Sequence, residues 1–207
     1  MNILLIDCSA GLRVCVATPQ KTVEYFDEEA KKQSDSLLEK IDELLKQSEI
    51  TISQIDTIAV NIGPGSFTGI RVAISTAKGI AVGTKAKIVV FNSFESLFAN
   101  ITDKNFGVLV EGFGNNYYYY FKKFGKVFQG CASTDKMHVF AQDINVYSSS
   151  KTVCDKVSDF IVSLKENDAL SFVKEKIEKG QFVQTNQIAP LYLRASQAEI
   201  ERLKNGN

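Results

Sequence analysis

Histidine is almost missing from this chain: His138 is the only one, and tryptophan is absent. A histidine-built metal site is therefore excluded, and any Ser-His-Asp arrangement must use His138. Cysteine is sparse too. Cys8, Cys15, Cys131 and Cys154 form no C-x-x-C pair, which argues against zinc ribbons and thioredoxin-type redox chemistry. Each sits among apolar or small residues, so buried free thiols in a reducing cytoplasm are expected. Surplus charge is lacking as well. Lys+Arg and Asp+Glu both number 24, so the net charge is zero. That balance speaks against holding nucleic acid by bulk electrostatics, and it predicts limited solubility unless a partner covers some surface. No apolar run approaches the roughly 20 residues that span a bilayer. The opening segment holds Asp7 and no basic leader, so neither a signal peptide nor a membrane anchor is expected.

What is present reads as a folded α/β protein. The 207 residues are 44% hydrophobic and 23% charged, enough for one or two packed units. Ile3-Leu4-Leu5-Ile6 is a continuous apolar run, the signature of a strand covered on both faces. Leu12 to Ala17 and Thr22 to Phe26 predict a hairpin around Pro19-Gln20. Leu37, Leu38, Ile41, Leu44 and Leu45 then recur with helical spacing over 34–47. A strand over 56–62 leads into Gly63-Pro64-Gly65-Ser66-Phe67-Thr68-Gly69, followed by a helix over 70–82. A strand at 87–91 follows, then a short helix capped by Ser93. After residue 100 come strands at 106–111, 116–124, 126–130 and 144–147, helices at 153–162 and 169–179, and a closing helix over 195–204. This pattern divides the chain into a first lobe over 1–100, a smaller second lobe over 101–189, and a C-terminal piece, 190–207, returning to the first lobe.

Several segments could carry chemistry. The glycine loop between strand and helix could offer backbone N–H groups to an anion. It lacks the Walker lysine, and Thr68 stands where a dinucleotide fingerprint needs its third glycine. The same loop serves equally as a tight turn with Thr68 or Ser66 capping the helix. Asp7, beside Ser9, could hold a metal-bound phosphate or close an Asx turn. The helix after the loop is apolar nearly all round, so it must be buried nearly all round, either in a monomer core or against another chain. His138 reads as a surface or core residue. Tyr117 to Tyr120 alternate faces along a strand, with only Lys122 and Lys123 as basic neighbours.

Four stretches together resemble a known family. They are Met1 to Asp7, Gln33-Ser34-Asp35 ahead of the leucine helix, Ile58-Ala59-Val60 running into Gly63-Pro64-Gly65-Ser66-Phe67-Thr68-Gly69-Ile70-Arg71, and Ser75 to Gly79. Pro190 to Arg194 adds to them. The pattern is similar to the TsaB (YeaZ) family of threonylcarbamoyladenosine biosynthesis proteins. The resemblance implies an actin-like fold of two α/β lobes with ribonuclease H-like topology. It implies a non-catalytic subunit that dimerises with a TsaD-like transferase, works with a TsaE-like ATPase, meets tRNA only indirectly, and needs no cofactor or metal of its own. It places the partner surface on the two first-lobe helices, with Ser34, Leu37, Leu38, Ile41, Phe67, Arg71, Ile74, Ser75 and Lys78 as candidates; alone, that surface could form a homodimer. Asp7, Ser9, Gly63, Gly65, Ser66 and Thr68 would line any surviving nucleotide or anion loop. The alternative reading is a small ATP-dependent phosphotransferase or ATPase of the same superfamily.

Overall fold

The computed structural model describes residues 1–28, 33–112, 114–157 and 162–194, with the backbone alone for 33–35. The expected closing helix over 195–204 lies outside the described residues. Contacts divide the chain into two units, Met1–Thr102 with Lys165–Pro190, and Asp103–Leu164 with the residues from Leu191 on.

The first unit holds β1 (Ile3–Asp7), β2 (Leu12–Ala17), β3 (Thr22–Asp27), α1 (Gln33–Gln47), β4 (Thr57–Asn61), α2 (Phe67–Thr84) and β5 (Lys87–Phe91). Its sheet runs in the order β3-β2-β1-β4-β5. The β1–β2 and β2–β3 pairs are antiparallel, whereas β4 is parallel to both β1 and β5. The second unit holds β6 (Phe106–Glu111), β7 (Tyr117–Lys123), β8 (Lys126–Ala132), α3 (Thr134–Ala141), β9 (Asn145–Ser148), α4 (Lys151–Lys156) and β10 (Val162–Leu164). Its sheet order, β10-β9-β6-β7-β8, repeats the first in reverse listing, with the same parallel and antiparallel pairs. Two copies of one antiparallel-meander-plus-parallel topology are what an actin-like pair of lobes requires.

The continuous apolar run of β1 has a direct cause. Leu4 and Ile6 face α1 and α2, packing with Ile41, Leu44, Ile70 and Ala73. Ile3 and Leu5 face the other way, onto Ala169 and Val173 of α5 (Ala169–Glu178). Alternate side chains therefore enter two separate cores. This also corrects the division at residue 101. The α5 face of the sheet would be bare without 165–190, so that stretch belongs to the first unit. The described residues 191–194 group with the second unit instead, where the Arg194 charge reaches Tyr118 and Cys131. Lys176 fastens α5 in place, donating to the Val90 carbonyl at 3.0 Å and pairing with Glu95 at 3.2 Å.

Other departures from the sequence reading are local. Residues 162–164 form a strand, because β10 pairs with β9 and completes the second sheet. The helix α3 was not legible, since Met137 and Ala141 are its only buried residues. His138 lies exposed on that helix. Phe140 gathers the second core, its ring 5.0 Å from Phe128 and 6.3 Å from Phe121. Ser93 does not cap the short 3₁₀ helix Glu95–Asn100, whose cap position is Phe94; Asn92 holds the turn before it. The Asn92 carboxamide accepts from the Phe94 and Glu95 amides, and Glu95 accepts in return from the Asn92 amide. No described helix is long and apolar enough to cross a membrane.

Two of the four free cysteines, Cys8 and Cys15, are buried, and the other two are half-exposed. Burial, reinforced by the Asp7 charge, pushes the Cys8 thiol from its ordinary 9.0 up to about 12. Burial, with Glu24 adding to it, does the same at Cys15. In the unfolded chain both thiols ionise near 9, whereas the folded chain keeps their protons. Stability is therefore expected to fall as pH rises from about 9 toward 12, and to gain nothing from these groups below 9. Urea denaturation across that range checks the sign. A sharper contrast lies in α1: Leu37→Ala should cost about 2–5 kcal/mol, and Leu38→Ala less than about 0.5 kcal/mol, because Leu37 is 1% exposed and Leu38 is 62% exposed.

Candidate functional site

The carboxyl ends of β1, β4 and β5 converge on the glycine loop. A parallel sheet makes this its natural binding edge. Here that edge is filled by the protein's own polar groups. The Ser9 amide and hydroxyl both donate to one Asp7 carboxylate oxygen, at 2.8 and 2.6 Å, which closes an Asx turn. Asn61, the last residue of β4, is 1% exposed and uses both ends of its carboxamide. Its NH₂ donates to the hydroxyls of Ser9 (3.1 Å) and Ser93 (3.2 Å), and its oxygen accepts from the Gly63 amide at 2.8 Å. The Ser93 hydroxyl donates to the Pro64 carbonyl at 2.7 Å, and the Ser93 amide to the Gly63 carbonyl. Sequence reading missed Asn61. Its signal was a polar side chain closing an otherwise apolar strand two residues before a glycine.

The loop then sits directly on the β1 turn. The Ser66 amide donates to the Ser9 carbonyl at 2.8 Å. A Cβ at Gly65 would lie 2.3 Å from that carbonyl oxygen, and a Cβ at Gly69 would lie 2.1 Å from the Cys8 carbonyl oxygen. Both glycines are there because backbone meets backbone with no room for a side chain. Ser66 is the N-cap of α2, its hydroxyl accepting from the Gly69 amide at 3.2 Å. Thr68 is an exposed helical residue and not the cap. The helix begins at Phe67, three residues earlier than the apolar pattern suggested. The amides of Gly63, Ser66 and Gly69 thus have acceptors within the protein, as a turn and helix cap require. Among the described residues, no group of three or more His, Cys, Asp or Glu could hold a metal ion.

The candidate partner residues separate into two sets. Leu37, Ile41 and Ile74 are 1%, 4% and 5% exposed and lie in the unit's own core, so they are not available to a partner. The helical stripe that identified them as apolar is the stripe that folds the lobe. Lys78 is half-buried and donates to the Ile188 carbonyl at 2.9 Å, which ties down the returning chain. The side chain of Ser34 lies outside the described residues. Leu38, Phe67, Arg71 and Ser75 do face outward. The Arg71 guanidinium lies 3.8 Å from the centre of the Phe67 ring. Phe67, Arg71, Val72 and Ser75 line a shallow groove of about 420 Å³ along α2.

The outer face of α2 also departs from the sequence reading. The helix is not buried all round. Val82 is 76% exposed, and a Cβ added at Gly79 or Gly83 would touch nothing within 4 Å. Two glycines inside a helix, each about 0.5–1 kcal/mol worse than alanine, have no packing reason within the described chain. Gly79→Ala should therefore stabilise the isolated protein by about that amount, whereas Gly69→Ala should destabilise it by about 1–3 kcal/mol through backbone collision. Asn61→Ala should cost about 1–3 kcal/mol by orphaning the buried Gly63 amide. Chemical denaturation of the three variants reads all of these.

Comparison with known proteins agrees with this architecture. A model of the family described as TsaD, tRNA N6-adenosine threonylcarbamoyltransferase, matches residues 27–138, just over half of the chain. Among curated relatives, the TsaB protein of Haemophilus influenzae is 36% identical over 61 residues, 30% of this chain and 26% of that protein. The TsaB protein of Bacillus subtilis is 31% identical over 102 residues, 48% of this chain and 44% of that protein. The matched segments thus span between a quarter and just under half of these relatives' length. A solved structure of YeaZ from Pseudomonas aeruginosa shares the fold, with a TM-score of 0.74 over 93% of this chain and 99% of that one, at 17% identity. The chain belongs to the TsaD family, and within it stands with the TsaB (YeaZ) proteins.

Proposed function

We propose that this chain is a non-catalytic scaffold and activator subunit in threonylcarbamoyladenosine modification of tRNA. In this reading it docks a TsaD-like transferase through the outer faces of α1 and α2 and works alongside a TsaE-like ATPase. The names of its curated relatives, tRNA threonylcarbamoyladenosine biosynthesis proteins, support the pathway. The observation that carries the docking role is the outer face of α2. Exposed Phe67 and Val82 flank a run of small residues, Ser75, Gly79 and Gly83, that leaves the backbone open to close approach. A helix partner can come nearest where side chains are smallest, and the free protein bears the conformational cost of those glycines. Catalytic silence is supported by the loop geometry. One Asp7 oxygen is engaged by the Ser9 turn, and the amides of Gly63, Ser66 and Gly69 are engaged by Asn61, Ser9 and Ser66. Alone, the same face is available to a second copy of the chain.

Co-purification with a TsaD homologue, with stoichiometry read by light scattering, tests this directly. The intact chain should form a defined complex, and threonylcarbamoyl transfer to tRNA by the TsaD and TsaE homologues should depend on it. Leu38→Glu and Gly79→Arg change exposed positions. Each should leave the fold intact and weaken the complex at least tenfold. Ile74→Glu is a poor probe, because it places a charge in the core. Full transferase activity with this chain omitted would overturn the proposal.

A further inference from the structure

The β7–β8 hairpin of the second unit has an unusual tip. Between Glu111 and Asp135 the sequence contains no acidic residue, yet it carries Lys122, Lys123 and Lys126. Phe124 and Gly125 form the turn, both at positive φ, 50° and 76°, the backbone of a tight two-residue hairpin connection. That geometry holds the Phe124 ring out in solvent, 81% exposed, among the lysines. An aromatic side chain is usually buried, and no core contact explains this one. The turn is also held firmly. The Phe124 amide donates to Asn105 at 2.8 Å, and Lys123 donates to the Gln142 carbonyl at 2.7 Å.

Those two anchors lead straight to a recess. Asn105 and Gln142 line an open cavity of about 660 Å³ together with Asp103, Lys104, Asp143 and Asn145. The volume lies within the range that holds small organic ligands. Its lining is rich in carboxylates and amides. Asp103 is fixed by the Tyr147 hydroxyl at 2.6 Å and by Asn145 at 3.0 Å, so its acceptor oxygens are held in place.

We infer that the β7–β8 tip and this recess form a contact site for single-stranded RNA, with Phe124 stacking on a base, the hairpin lysines meeting phosphates, and the recess accepting from base amino groups. Each part matches one component of a nucleotide: a cation for phosphate, a ring face for the base, and oriented acceptors for exocyclic amines. An anionic membrane would also welcome a phenylalanine flanked by lysines. However, an acyl chain has no use for the amide-lined walls of the recess. Zero net charge over the whole chain does not conflict with this, because residues 112–134 carry three lysines and no acidic residue. The choice of RNA rests on the proposed role in tRNA modification.

The test uses the full chain and a fluorescein-labelled, unstructured RNA dodecamer, with binding followed by anisotropy at low salt. Wild type should bind with a dissociation constant in the range of about 1–100 µM and weaken steeply between about 50 and 200 mM salt. Phe124→Ala should weaken binding about tenfold, within what loss of one stacking contact gives, and Phe124→Leu should not restore it. Lys122→Gln with Lys126→Gln should flatten the salt dependence. Circular dichroism spectra identical to wild type would show that the variants are folded. No RNA binding, binding that ignores Phe124, or binding only to phosphatidylserine vesicles would overturn the inference. Phe124→Ala should still co-purify with a TsaD homologue. A wild-type chain that forms the complex but binds no RNA would remove this inference alone, and a wild-type chain that binds RNA but forms no complex would remove the functional proposal alone.

Discussion

One buried carboxamide organises the first unit. Asn61 sits at the end of the central parallel strand and ties together three chain segments that also bond one another directly: the turn after β1, the glycine loop, and the chain leaving β5. Its donors and its acceptor are all used inside the protein, in surroundings where an unpaired group costs about 1–3 kcal/mol. The loop is therefore fixed from below by Asn61 and from the side by the Ser9 carbonyl. The start of α2 follows, because Ser66 is both a loop residue and the helix cap. With its N-terminus pinned and Gly69 pressed on the Cys8 carbonyl, α2 has only one way to lie across the sheet.

That fixed helix divides the surface chemistry of the unit. Its inner face, Ile70, Ala73, Ile74 and Ala77, closes the core over β1 and β4. Its outer face offers Phe67, Arg71, Ser75 and Gly79. At the strand ends, Asp7, Asn61 and Ser93 bond the protein's own turn and loop. The outer face of α2, lined by small residues, is left open.

Much of this was legible in the sequence, because periodicity is strong where burial is one-sided or complete. The apolar run of β1 predicts burial on both faces, and the two cores around it supply the reason. The leucine spacing of α1 predicts a helix. It does not separate Leu37 from Leu38, two identical residues at the margin of the stripe, one sealed in the core and the other in solvent. In α2 nearly every position is apolar or small, so no period marks the inward face, and the interface candidates mixed core with surface. The cover supplied by α5 comes from about 80 residues further along the chain than β5, a distance at which local pattern carries no information. The shared topology of the two sheets is equally hidden, since the strands repeat their order and not their residues.

The proposed docking role requires the outer faces of α1 and α2 to be covered by another protein. Amide hydrogen exchange of this chain, measured alone and then with a TsaD homologue in excess, addresses it without any substitution. Exchange over α1 and α2 should slow in the mixture, with the β7–β8 hairpin unchanged. A stable complex whose protection falls elsewhere, with α1 and α2 exchanging as they do in the free chain, would contradict it.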